Sequence, residues 1–322
     1  MGNFKGWLIA GVIVLLELCA VAWALSLDGL SAPSELGRNP QTFERLELPV
    51  SPDTIVKMDQ PGDATPLYQQ ALADYMKRPT EYGALDGDET PDTSAYPAFV
   101  LLTQATRMKD GSPLMPQMKE VVRFGAVDRE PLVRMKELAN LALRVAAKHV
   151  ANNRNAEAKE LFEAVFALGA KLWNERLVYQ QAELGLELMA NSAAGLQMIA
   201  EQAKDAKQVN ACKAFNDARS KFIQDRLWAI WKPITDASNE ALATHAGDLF
   251  VMSSDKMQER MWRVESIFKL GYCRYNIGFG RRGDQVGAMR RVTELKEKDA
   301  DPVVKQAATV AADLTESEFR RR

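Results

Sequence analysis

The chain has 322 residues, with 41 Lys and Arg set against 43 Asp and Glu; the formal net charge of −2 argues against a general polyanion binder, and no nucleic acid is expected as a partner. An apolar fraction of 47% and a charged fraction of 26% exclude a wholly disordered chain and are enough for one large core or two modest ones. Three cysteines are too few for a disulfide scaffold.

The first element is WLIAGVIVLLELCAVAWAL, residues 7–25. At about 1.5 Å per residue it spans about 28 Å, close to the roughly 30 Å hydrocarbon core of a bilayer. Lys5 precedes it, Asp28 and Glu35 follow it, and the next base is Arg38. The positive-inside rule then puts residues 1–6 in the cytoplasm and the rest in the periplasm or outside, as a single-pass protein of the inner membrane. Ala20-Val21-Ala22 and Ala22-Trp23-Ala24 fit a signal-peptide cleavage site. The stretch is long for a signal peptide, however, and Trp7 and Trp23 stand where an aromatic belt would, so a retained signal-anchor is the preferred reading. Glu17 would cost about 2.5–3.5 kcal/mol at mid-membrane if ionised and alone. It is either tolerated in protonated form or in contact with another membrane helix.

Residues 26–62 read as an acidic, proline-containing tether, broken by Pro33, Pro40, Pro49, Pro52 and Pro61. From Asp28 to Ala95 there are thirteen acids and five bases. FERLELPV, residues 43–50, reads as an extended piece with no convincing partner strand.

An all-helical domain is expected over residues 63–314. Asp63 is placed to cap a helix carrying Leu67, Ala71, Leu72 and Tyr75, which Pro79 stops. The following loop holds Asp86, Asp88, Glu89 and Asp92 but lacks the central glycine and closing glutamate of a calcium loop. Helices are then expected over 96–109, 113–124, 130–150 and 156–189, the last breaking near Gly169–Ala170. More follow over 193–231 with a break near 204–208, 233–245, 254–270, 285–298 and 302–314. Leu138, Ala142, Val145 and His149 share one face, as do Phe162, Val165, Phe166, Gly169, Leu172 and Trp173, where Gly169 would permit a close helix crossing. Residues 315–322 form a basic tail ending in FRRR.

NAEAKELFEAVFALGAKL, residues 155–172, and DATPLYQQALADY, residues 63–75, resemble helices of tetratricopeptide hairpins. The stretch from SIFKLGYCRYN to VVKQAATVAADLT, with Asp301-Pro302 opening its last helix, resembles a HEAT-type hairpin. The general layout resembles that of membrane-anchored, all-helical bacterial proteins. The resemblance implies a helical-repeat-like body, an α-solenoid or irregular bundle, that binds proteins.

Catalytic signatures are missing. His149 reads as a satisfied core or groove histidine and His245 as a helix-end residue; no HExxH, cysteine pair or phosphate loop accompanies them, so neither metal nor cofactor is expected. Tyr272, Arg274, Tyr275, Phe279, Arg281 and Arg282 form a mixed aromatic and basic patch that would suit a peptide, a lipid headgroup or a carboxylate; the plainer reading is a helix end. Trp228, Trp231 and Trp262 fit core or interface roles, and Cys212 and Cys273 are candidates for one disulfide. Glu183 and Glu187, four residues apart, are placed to share a helix face.

The resulting expectation is a membrane-anchored, extracytoplasmic scaffold that binds protein partners without catalysis, with residues 7–25 in the bilayer. The alternative is an exported or anchored domain that binds a small ligand or lipid, or acts on a cell-envelope fragment.

Overall fold

A computed structural model describes residues 46–87, 92–123, 129–228, 259–273 and 282–314, without the side chains of Cys273 and residues 282–285. The described residues are overwhelmingly helical and fall into two compact units, 46–228 and the residues from 259 on. Among them no helix is long and apolar enough to cross a membrane. Residues 7–25, with Glu17, lie outside the described residues.

In the first unit the chain is packed from residue 46. Leu46, Ile55 and Val56 are buried, although 46–62 was expected to belong to the tether. Ser51 caps a 3-10 turn at Pro52–Thr54. A two-stranded parallel sheet follows, β1 (Gln60–Asp63) against β2 (Met108–Asp110). Neither strand was expected: residues 108 and 109 were assigned to a helix. Lys171 holds β2 in place, its Nζ donating to the carbonyls of Met108 at 2.6 Å and Lys109 at 3.2 Å.

Helix α1 (Thr65–Lys77) buries Tyr68, Ala71, Leu72 and Tyr75, and Asp63 accepts from both the amide and the hydroxyl of Thr65. Pro79 stops it and opens the short α2 (Pro79–Ala84). Tyr82 on α2 donates to Asp74 and accepts from the Ala98 amide at 2.9 Å, which ties α1 to the start of α3 (Pro97–Ala105). The helix expected over 113–124 is only a 3-10 turn and the four-residue α4 (Met118–Val121). The Leu114 and Met115 amides bond to the Glu175 carboxylate instead of to a helix ladder.

Four long helices make up the rest: α5 (Glu130–Ala151), α6 (Asn155–Glu175), α7 (Tyr179–Gln202) and α8 (Ala206–Phe222). Their turns are short and pass through left-handed Asn153, Arg176 and Lys204, so successive helices run antiparallel. The expected break at Gly169–Ala170 is absent, and α6 runs through it to the real stop at Arg176. A β-carbon on Gly169 would lie 2.8 Å from the Gly185 carbonyl oxygen, and one on Gly185 would lie 2.7 Å from that of Gly169. The glycines therefore mark a backbone-to-backbone crossing of α6 and α7. Phe162, Val165, Phe166, Leu172 and Trp173 are all buried along α6, each large apolar side chain contributing about 1.5–3 kcal/mol. The break expected near 204–208 falls at residues 203–205, but the helix before it starts at Tyr179, not at 193.

The second unit contains α9 (Arg260–Cys273), α10 (Arg282–Lys298) and α11 (Pro302–Asp313). Asp301 caps α11 by accepting from the amides of Val303 and Val304, and the expected stripe Val304, Ala307, Ala308, Ala311 and Leu314 is buried. A buried ion pair between Arg263 and Asp299 joins α9 to the end of α10; loss of one partner would strand the other charge at a cost of about 3–5 kcal/mol.

Candidate functional site

The site is a groove on one face of α7, between α5 and α8, with a cavity of about 480 Å³. Tyr179, Glu183, Leu186, Glu187, Ala190 and Asn191 line its floor, at spacings that place them on one side of a helix. Lys136 of α5 stands on one wall, and Arg219, Ile223 and Trp228 on the other.

The α8 wall is shaped by a change of helix type. Beyond Phe222 the chain enters a π-helical turn, Ile223–Leu227, and the Trp228 amide bonds back to the Ile223 carbonyl. Such turns are often found at functional sites because the wider loop re-aims the side chains after it. Leu227 is buried here, whereas Trp228 is 54% exposed. The Phe222 ring stands edge-on to Trp173 of α6, with centroids 5.7 Å apart, and this fixes the end of α8.

The charges in the groove are not all paired. Lys136 reaches Glu187 at 3.2 Å. Glu183 lines the same groove with no cation or donor bonded to it among the described residues. Partial desolvation by the walls, then the nearby Glu187 charge, push the Glu183 carboxyl above the usual carboxylate range, and Lys136 opposes this. Arg219 is half-buried. Its Nη1 donates to the Leu186 carbonyl at 3.4 Å, its Nε has no partner, and no carboxylate pairs with it among the described residues. Burial lowers its pKa from the ordinary value, yet a guanidinium stays charged.

Two other cavities each hold an ion-paired arginine. One, of about 720 Å³, has Arg134 held by Glu137 at 2.9 Å and Glu130 at 3.6 Å. The smaller one, about 420 Å³, has Arg154 bonded to Glu157 at 3.1 Å.

Of the residues singled out in the sequence, Glu183 and Glu187 do share a face and come together in the groove. His149 is fully buried as expected, but neither ring nitrogen has a hydrogen-bond partner; burial, then the Arg154 charge, lower its pKa. Cys212 is buried on α8 with the Gln208 amide nitrogen 3.8 Å from its sulfur, and Cys273 ends α9. In the aromatic and basic patch, Tyr272 sits near the end of α9 with the Lys269 ammonium 5.9 Å from its ring centre, and Arg282 opens α10. Arg274, Tyr275, Phe279 and Arg281 lie outside the described residues, as do His245 and Trp231. Trp262 is buried in the core of its unit. Among the described residues no cluster of His, Cys, Asp or Glu could hold a metal ion.

Sequence reasoning missed Arg219 and assigned Trp228 only to a core or interface role. One signal was available for Arg219: it falls on the α8 face that otherwise carries the buried Cys212, Phe215 and Phe222, and a lone cation on such a stripe marks a break in the packing. Comparison with family models, with curated proteins and with solved structures gives no match.

Proposed function

We propose that the protein is a scaffold, anchored in the membrane by residues 7–25 with Glu17 in the span, whose first unit receives a protein partner in the α5–α7–α8 groove. The carrying observation is Trp228, 54% exposed on the rim of a groove whose Arg219 has no counter-ion among the described residues. Tryptophan and arginine are the side chains most enriched among residues that dominate binding energy. The run of antiparallel helices supports the helical-repeat-like reading, in which a concave face is the binding face.

The test uses the full chain, extracted from membranes in mild detergent. Wild type recovers a stoichiometric partner, and Trp228→Ala loses it while keeping its helical content and melting temperature. Recovery of the wild type alone and monomeric overturns the scaffold reading. For the anchor, carbonate-washed membranes retain the protein with an N-terminus at or near Met1, whereas release with a mature start at Trp23 or Leu25 overturns it.

A second reading, a small-ligand site, draws on Glu183 and Glu187, two carboxylates that line the same groove.

A further inference from the structure

The groove has a polarity along its length. Arg219 stands level with Leu186, whose carbonyl it contacts, and Asn216 reaches the Ala190 carbonyl at 3.5 Å, so α8 runs antiparallel to α7. Trp228 follows Arg219 by nine residues of continuous helix, which at about 1.5 Å per residue puts the two roughly 13 Å apart along the groove. One end of the wall therefore offers a guanidinium to which no carboxylate is bonded among the described residues, and the other an indole face with more than half its surface in water.

A half-buried guanidinium with no ion pair among the described residues pairs strongly with a carboxylate or a phosphate, and the carboxylates of Glu183 and Glu187 in the same groove weigh against the more highly charged phosphate. A carboxylate accepts two parallel N–H bonds from it, in a charge-assisted pair about twice as strong as a neutral hydrogen bond. The Nε that has no partner belongs to one edge of that fork. At the other end, an apolar or aromatic side chain is the complement of the indole.

Resting on the scaffold reading above, we infer that the groove recognises an extended segment of the partner in which an aspartate or glutamate side chain bonds Arg219 and an apolar side chain covers Trp228. Extended chain advances about 3.3 Å per residue, so roughly 13 Å separates two side chains about four residues apart. Even spacing also points the two anchors to the same side of an extended chain. The acids on the floor add selectivity, because Glu183 repels a second carboxylate brought to the middle of the segment and attracts a cation there.

The test measures binding of short synthetic peptides to the full chain in detergent by fluorescence anisotropy. The reference peptide is acetylated and amidated, with aspartate about four residues from phenylalanine. Asparagine in place of the aspartate is expected to weaken binding about tenfold, about 1.4 kcal/mol, and alanine in place of the phenylalanine by a similar factor. Arg219→Gln should bind the aspartate and asparagine peptides equally. Arg219→Glu should reverse the preference toward a peptide with lysine at that position, a rescue that a purely structural arginine would not give. Equal binding of the aspartate and asparagine peptides to wild type overturns the inference, as does a preference that survives Arg219→Gln. A peptide that binds only through a free C-terminal carboxylate, without the internal acid, also overturns it. If a stoichiometric partner is recovered from membranes and its binding is insensitive to Arg219→Gln, this inference fails and the scaffold reading stands; if no partner is recovered, the scaffold reading fails first.

Discussion

The two faces of α7 are built on opposite rules. Toward α6 the helix is fitted by subtraction. Gly185 crosses Gly169 so closely that no side chain can intervene, and a β-carbon on Gly195 would fall 2.3 Å from the Phe162 ring. Toward α5 and α8 the same helix presents carboxylates, a cavity and neighbours whose charges are incompletely matched. The first face has a unique partner already in place. The second holds groups that gain most from a partner not in the chain, which is why the binding reading is attached there and not to the apolar seam.

The largest effect expected on this contrast is at the seam. Gly185→Ala drives a methyl group into the Gly169 carbonyl and the Trp173 amide, both backbone atoms that cannot swing aside. Overpacking of this kind costs about 1–3 kcal/mol or more, against about 1 kcal/mol regained from helix propensity. We expect a net loss of about 2 kcal/mol in urea unfolding, with Gly169→Ala alike. Gly83→Ala on α2, where nothing lies within 4 Å of the added carbon, should be neutral or stabilising. If Gly185→Ala is also neutral, the seam is looser than described.

Glu175 ranks next. It accepts from the Leu114 and Met115 amides and from the Gln181 side chain, and so secures the segment after β2 to the end of α6. Glu175→Gln keeps the shape but loses the charge, and about 1–2 kcal/mol should go with it, measured by the same unfolding curves.

The smallest effect belongs to the groove. The Glu183 carboxyl is raised in the folded state, so its contribution to stability is complete below the unfolded carboxylate range and is lost as pH rises through the raised folded value. Glu183→Gln should therefore be slightly more stable than wild type near neutral pH, and the gain should vanish in acid, where wild type is protonated in both states. Solvent screening at this exposed side chain limits the gain to a few tenths of a kcal/mol. A loss of stability near neutral pH, by thermal melts across the pH range, would contradict the description of the groove.

The same contrast explains what was legible beforehand. Helix α5 is expected over 130–150 and observed as Glu130–Ala151, because a long amphipathic period and a proline at its start are local signals. Asp301 as a cap is local in the same way. Gly169 was read correctly as a crossing point and incorrectly as a break: the close approach of α7 supplies, through tertiary packing, what glycine lacks in propensity. The parallel β1–β2 pair has no signature in QPGD or MKD, since it depends on Lys171 and on partners more than forty residues apart. The acid pair of the groove was visible as a four-residue spacing, but Arg219 and Trp228 join it only when three helices and a π-helical turn meet in space.

Arg176 adds a mechanical consequence. Its guanidinium donates to the Leu46 carbonyl at 2.9 Å and lies over the Trp173 ring, 4.4 Å from the ring centre. Leu46 is thereby tied to a residue 130 positions downstream, at the elbow between α6 and α7. Unravelling of the segment between residue 46 and β1 therefore has to break a contact at that elbow, where the helix pair joined by the glycine seam turns.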